Sequence, residues 1–380
     1  MASPTPQLNQ NYKHLTPSDV THFLEKGWLR IPNAIKPEYI EKWMSDFWPR
    51  VDYDPNDKST WSTQYHHLPR HREVPAEDFA PEAWQKTIEI CGGLQNIDPV
   101  RERYYGDAFI INFGTDEWEG KKESPLKPNE LKGWHTDDDW YRMFLDSTGC
   151  AITVIHCFSD IPERGGGTML CEDGIEGLVK FLYDHPEGFD PPVTDRLSTH
   201  VKDCKKFTTV TAKKGDVLLL HGLLPHAASP NYLRYARVIT NPHVALAGPH
   251  NFNRPDGNYN LLEQVILRNL NRTSLPEWTL TRERKFWYPR NAGFKRAKAE
   301  GELQRMIAAA KAKGLDESAV NSIYQRRGTR EFEDFEKRNG FKLPVNEESG
   351  LLMVQHYGPD PAIAIKAEMA AEMSRVEAVR

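Results

Sequence analysis

The chain is short of cysteine and of long apolar runs, and it has no net positive charge. Cys91, Cys150, Cys157, Cys171 and Cys204 are odd in number, widely spaced and contain no CxxC pair. That pattern argues against a disulfide framework or a zinc cluster and fits a reducing compartment. Cys157 reads as a small buried hydrophobe within a strand. No apolar run reaches the ~20 residues that a membrane helix needs. A net charge of −5 leaves no broad basic field for nucleic acid or anionic lipid. The opening Met-Ala-Ser-Pro-Thr-Pro has neither the basic nor the apolar region of a signal peptide. The stretch Gln7 to Leu15 departs from a peroxisomal address at Gln7, where a basic residue belongs, and Val379-Arg380 completes no peroxisomal tripeptide. The expectation is a cytoplasmic protein.

What is present suits one large core. The 380 residues are 39% hydrophobic and 27% charged, ordinary values for a globular protein, with ten tryptophans that favour a walled pocket. Residues 1–14 read as a flexible lead. Thr16-Pro17-Ser18-Asp19 is a helix start, Val20, Phe23 and Leu24 its buried stripe, and Gly27 its stop. Trp28 to Pro32 alternates like a strand, and Ile40, Trp43, Met44 and Phe47 form a second helical stripe.

From about residue 107 the texture changes to short strands, at Phe109–Phe113, Ala151–Phe158, Phe207–Thr211, Val217–His221 and Tyr235–Thr240. Lys214-Gly215-Asp216 is a turn of the hairpin kind, and Leu178, Val179, Phe181 and Leu182 mark a helical excursion. Short strands without βαβ alternation favour a sandwich or barrel. The predicted architecture is mainly β with flanking helices over 15–280, followed by a helical extension over 281–380. There Leu303, Met306, Ile307 and Ala310 form one stripe, ended by Gly314. Further stripes are Val320, Ile323 and Tyr324, then Phe332 and Phe335, then Met369, Met373 and Val376. Each is too narrow to make a core alone, so these helices either coat the β core or offer a contact to a second copy or an active-site cover.

The chemistry is carried by His135-Thr136-Asp137, the distal His226 and Arg237, eleven residues after it. On an extended segment residues i and i+2 point the same way, so His135 and Asp137 can reach one ion. Two histidines and a carboxylate occupy one face of an octahedral iron and leave the other open. Val217 to His221 reads as a buried strand that turns to bring His226 to its end, and the chain returns with Tyr235, Arg237 and Ile239 on one face. An arginine among apolar positions is costly unless an anion meets it, and a carboxylate is its natural partner.

The Trp-His-x-Asp motif with the distal histidine and arginine resembles the phytanoyl-CoA hydroxylase-like group of Fe(II)/2-oxoglutarate dioxygenases. The Leu15-Thr16-Pro17 helix start and Gly27-Trp28-Leu29-Arg30-Ile31-Pro32-Asn33 are similar to that family's N-terminal pattern. The resemblance spans roughly 15–245. It implies a double-stranded β-helix (jelly roll, cupin-like) with iron at its mouth, held by His135, Asp137 and His226. It also implies that Arg237 binds the distal carboxylate of 2-oxoglutarate. Thr168, closing Arg164-Gly165-Gly166-Gly167, matches the turn that offers that co-substrate a hydroxyl, though three glycines stand where many members have Asn-Gly; a plain tight turn is the alternative. Oxygen would be consumed, 2-oxoglutarate converted to succinate, and a substrate C–H bond hydroxylated, desaturated or cyclised. Halogenating relatives lack the carboxylate that Asp137 retains, so halogenation is not expected.

Rival residues bound the reading. His221 could replace His226, but Tyr232 rather than arginine lies eleven residues beyond it. His156 reads as a hydrogen-bonded core histidine. Trp140, Tyr141 and Arg142 follow the motif closely and are candidates for substrate contact or for packing. His66 to Arg72 is a basic segment, read as a solvated loop or a carboxylate-clamping lid. The expected partner is a small metabolite, with neither nucleic acid nor membrane. A cupin-like protein that binds a metal or small ligand without turnover, and a triad oxygenase that does not use 2-oxoglutarate, remain alternatives.

Overall fold

The computed structural model describes residues 12–122, 126–138, 140–190, 200–287, 292–339 and 352–354. The lead up to residue 11 and the stripe Met369, Met373 and Val376 lie outside them. Helix α1 (Pro17–Lys26) begins on the expected cap: the Thr16 side chain accepts from the Asp19 amide, Asp19 returns the bond, and Gly27 closes the helix at φ 75°. Strand β1 (Trp28–Ile31) and helices α2 (Pro37–Met44) and α3 (Phe47–Val51) follow. After β2 (Tyr65–His67) and β3 (Glu73–Pro75) come α4 (Ala76–Phe79), α5 (Pro81–Ile90), β4 (Tyr104–Gly106) and β5 (Ile110–Asn112). The central run is β6 (Ile152–Cys157), β7 (Thr168–Cys171), α6 (Gly174–Asp184), β8 (Phe207–Thr209), β9 (Val217–His221), β10 (His226–Ala228), β11 (Arg237–Thr240) and β12 (His243–Val244).

Ten of these strands make two antiparallel sheets, and β3 and β4 pair with each other as a separate two-stranded one. The larger has the order β1-β9-β6-β11-β5-β2, with β12 also on β6; the smaller is β10-β7-β8. The turn at Lys214–Asp216 is tight, with the Asp216 amide donating to Lys213 at 3.0 Å. It makes no hairpin, however: β8 pairs with β7 in the small sheet, whereas β9 pairs with β1 and β6 in the large one. Its two flanking strands diverge because each finds its hydrophobic partner in a different layer.

Every residue of β6 and β9 is buried, as expected for strands covered on both faces. The register separates those faces. Thr153 lies opposite Leu220 and His243, Ile155 opposite Leu218, and Cys157 opposite Ile239. Arg237 lies opposite Asn112, which is opposite Tyr65. By strand alternation these side chains share one face. Val154, His156, Leu219 and His221 take the other, against the helices.

Beyond residue 280 the chain still touches this core. In β13 (Lys285–Trp287) Phe286 is buried and bridges to Tyr141. Helix α8 (Ala292–Ala312) lies on α3, and α9 (Arg330–Asn339) follows. Their stripes do more than cover a surface. Leu303, Met306 and Ile307 cluster with Val320, Ile323, Tyr324 and Phe335 into a separate small core. Val320 to Tyr324 contributes through 3-10 turns and not through a further α-helix. Among the described residues no helix is long and apolar enough to cross a membrane.

Much of the segment His66–Arg72 is tied into the fold and not solvated as a loop. His71 is fully buried with Nδ1 2.8 Å from Ser322 Oγ, and His66 Nε2 lies 3.0 Å from the Tyr53 hydroxyl. Arg72 is buried on Asp107, with Nε 3.0 Å from Oδ2. Acidic partners distant in sequence, Asp107 and Asp46, neutralise what looked locally basic.

Candidate active site

The two halves of the site meet at a single bridge. The His135 amide donates to the His226 carbonyl at 3.0 Å, and the His226 amide returns the bond at 2.9 Å. Directly opposed residues of an antiparallel pair point to the same side, so the imidazoles come together with ring centres 4.4 Å apart. Asp137, two residues on, joins them. Its Oδ1 lies 3.8 Å from His135 Nε2 and its Oδ2 lies 3.6 Å from His226 Nε2. One donor atom from each residue falls within 4.8 Å of the others.

Backbone carbonyls orient the rings. His135 Nδ1 lies 2.7 Å from the Gly133 carbonyl and His226 Nδ1 lies 3.1 Å from that of Leu224. A carbonyl only accepts, so Nδ1 carries the proton and Nε2 presents its lone pair to the cluster. Neutral histidine with a free Nε2, beside a carboxylate, is a donor set that suits a divalent transition metal.

Two residues that the sequence did not single out hold Asp137. Thr153 donates to Oδ2 at 2.7 Å, and His243 Nε2 stands 3.4 Å from the same oxygen. Burial alone would raise the Asp137 carboxyl; His226, His243 and His135 outweigh it and hold the group far below the carboxylate range. Burial pushes His226 down to about 4, with His135 adding to the effect. Both shifts favour the ionised acid and neutral imidazole that a metal requires. The cue for His243 was weak. It shares even spacing with Arg237, but Asn241-Pro242 interrupts the strand between them.

Arg237 is 3% exposed on the same sheet face as Thr153. Its Nε donates to the Gly166 carbonyl at 3.0 Å. Among the described residues no carboxylate comes within ion-pair distance of its guanidinium. Burial accordingly pulls the group below its usual range. The Gly-rich turn forms its cradle. Gly166 sits at φ 72°, and a Cβ at Gly167 would stand 2.1 Å from the Val210 carbonyl oxygen. Thr168 begins β7 opposite Ala228, and Leu170 lies opposite His226. Alternation therefore puts Thr168 on the same face of the small sheet as His226.

The other candidates separate. His221 is 2% exposed on the opposite face. Its Nδ1 accepts from the Leu223 amide at 3.0 Å and its Nε2 lies 3.3 Å from the Leu262 carbonyl of α7 (Leu261–Asn269). His156 packs between Phe79 and Tyr105 with Nδ1 3.0 Å from Thr240 Oγ1. Trp140 lies against His243, ring centres 4.6 Å apart. Tyr141 is buried and stacks on Phe286, while Arg142 pairs with Asp190 and Glu283.

The family model for phytanoyl-CoA dioxygenase (PhyH) matches residues 23–232. The chain belongs to this family. The match contains the His135–Asp137 motif, Thr168 and His226 and stops short of Arg237. The phytanoyl-CoA dioxygenase family is one of non-haem Fe(II)/2-oxoglutarate enzymes, the class that the sequence motifs resemble. No curated protein sequence matches the chain. Among solved structures, HygX from Streptomyces hygroscopicus with nickel and 2-oxoglutarate bound is 14% identical, covering 61% of this chain and 87% of that one, with a TM-score of 0.32. SnoK, a non-heme alpha ketoglutarate dependent carbocyclase from nogalamycin biosynthesis, is 13% identical over 63% and 88%, with a TM-score of 0.36. The epimerase SnoN of the same biosynthesis is 14% identical over 64% and 87%, with a TM-score of 0.33. Likeness this distant says nothing about the reaction of the present chain.

Proposed function

We propose that this member of the family is an Fe(II)- and 2-oxoglutarate-dependent oxygenase that oxidises a C–H bond of a small metabolite, on a core of the double-stranded β-helix type. The observation that carries this reading is the convergence of two carbonyl-oriented histidines and a carboxylate, with a buried arginine on the Thr153 face of the sheet that meets no carboxylate among the described residues. His135 Nε2, His226 Nε2 and one oxygen of Asp137 would hold the iron. Bound there, iron supplies the oxygen-activating redox chemistry that side chains lack.

The chain's own residues do the positioning. Thr153 and His243 fix one oxygen of Asp137, which leaves the other free for the metal. Arg237 would take the distal carboxylate of 2-oxoglutarate, with the Thr168 hydroxyl beside it. Ile155, Ile239, Leu218 and Leu220 share the Arg237 face and exclude water from it. Of Trp140, Tyr141 and Arg142, Trp140 is best placed to meet a substrate, since Tyr141 and Arg142 are committed to packing and ion pairs. A carboxylate-bearing or natural-product substrate, taken up in the cytoplasm, suits this arrangement. The retained Asp137 argues against halogenation.

Incubation with Fe(II) and 2-oxoglutarate in air is the test. The reading predicts iron-dependent release of succinate, even without the substrate, and its loss in Asp137→Ala. Iron binding with no succinate would favour a non-catalytic binding protein. Activity that survives Arg237→Ala would favour an oxygenase that does not use 2-oxoglutarate.

A further inference from the structure

A second group of metal donors lies on the far side of the strand pair that carries His226. Cys171, at the end of β7, Asp173, two residues on, and Cys204, just before β8, each place one donor atom within 4.8 Å of the other two. Cys171 is fully buried and Cys204 half-buried, and both are free thiols. The sequence hides this group, because the two cysteines stand far apart and in no CxxC spacing.

We propose that Cys171, Asp173 and Cys204 form a binding site for a borderline-soft divalent ion of the zinc type, distinct from the iron site. The distances fit such an ion. Tetrahedral zinc with ordinary Zn–S and Zn–O bonds separates a thiolate sulfur from a carboxylate oxygen by about 3.6 Å; Cys171 Sγ and Asp173 Oδ1 stand 3.7 Å apart. Two sulfurs and one oxygen exclude magnesium and calcium, which prefer all-oxygen shells. Three protein donors leave a fourth position, reachable by water because Cys204 is partly exposed.

The donors are also held in place. Asp173 Oδ2 accepts from the Lys205 amide at 2.8 Å and Oδ1 from the Lys206 amide at 3.1 Å, which locks the Cys204 segment to the end of β7. Two thiolates and a carboxylate around a divalent ion carry one net negative charge, which the Lys205 and Lys206 amides meet at Asp173. The thiol hydrogens point to oxygen acceptors, Cys171 to Asp173 Oδ1 and Cys204 to the His200 carbonyl at 3.4 Å, and an ion would replace them. Packing with Trp134, Val201 and Ala227 explains why these positions are small and buried. It does not explain why two sulfurs and a carboxylate converge. An ion here would brace the strand beside His226, since the Cys171 amide donates to the Pro225 carbonyl at 3.0 Å.

Cobalt(II) titration of the reduced, metal-free full chain tests the proposal. The iron site contains no sulfur, so a sulfur-to-cobalt charge-transfer band reports only the second site, whatever the fate of the first. The expected result is a band that saturates at one cobalt per chain, is displaced by zinc, and is lost in Cys204→Ser and in Cys171→Ala. Zinc should also raise the unfolding midpoint of the wild type by more than that of Cys204→Ser. No sulfur band, a band that persists in Cys204→Ser, or a Cys171–Cys204 disulfide that forms in preference to metal binding would overturn it.

Discussion

His243 stands 3.4 Å from the Asp137 oxygen that also accepts the Thr153 hydroxyl. The two groups come from adjacent strands and are directly paired in register. Together they anchor that oxygen and leave Oδ1, 3.8 Å from His135 Nε2, outside both contacts. If this orientation matters, His243→Ala and Thr153→Val should each weaken Fe(II) binding by roughly 10–100-fold while the fold survives. Anaerobic Fe(II) titration with circular dichroism of the same samples checks this, and an unchanged affinity would make both groups bystanders.

His226 and His221 differ by face, and their alanine variants should differ in kind. His226→Ala should lose iron stoichiometry. His221→Ala should keep it and instead lose about 1–3 kcal/mol of stability, because the Leu223 amide and Leu262 carbonyl lose a buried partner. Iron analysis and urea unfolding of both variants decide the matter. Loss of iron in His221→Ala alone would reverse the assignment.

Arg237 is a buried cation that awaits an anion. Arg237→Met should raise the dissociation constant for 2-oxoglutarate by about 2–5 kcal/mol equivalent, yet leave the ligand-free protein as stable or more so, since an unpaired buried charge costs free energy. Arg237→Lys should rescue little, because an ammonium cannot reproduce a forked contact to a carboxylate. Calorimetric titration of 2-oxoglutarate and urea midpoints give the two readouts.

The docking of α8 should be acid-sensitive. Arg50 is fully buried between Asp107 and Glu302, 2.9 Å from each. Burial resists the charge on Asp107, but Arg50 and Arg72 outweigh it and hold the carboxyl below its ordinary value. A depressed folded-state pKa contributes stability that is complete above the unfolded value of about 3.9 and is lost as pH falls through the lower folded value. Asp107→Asn should cost about 3–5 kcal/mol near neutrality and flatten the acid dependence below that point. Equal acid sensitivity of variant and wild type in urea titrations would contradict this.

The legible parts were those with local causes. The α1 caps, the strands at 152–157 and 217–221, and the His-x-Asp spacing follow from hydrogen-bond geometry and side-chain alternation within a few residues. What the sequence concealed depends on register between distant strands. Thr153 and His243 meet Asp137 only because β6 pairs with β12, and His66–Arg72 looked like a solvated basic loop because its acidic partners lie elsewhere in the chain. The Lys214–Asp216 turn was visible as a turn, but not as a crossing between sheets. The separate core of 299–335 arises from several narrow stripes, each uninformative alone.

The central claim is that His135, Asp137 and His226 hold iron while 2-oxoglutarate chelates it within reach of Arg237. Anaerobic addition of Fe(II) and 2-oxoglutarate, followed by visible absorption, tests this most directly. The account predicts a metal-to-ligand charge-transfer band that needs both additions, disappears in Asp137→Ala and shifts to higher 2-oxoglutarate concentration in Arg237→Met. Iron binding at full stoichiometry with no such band would contradict it.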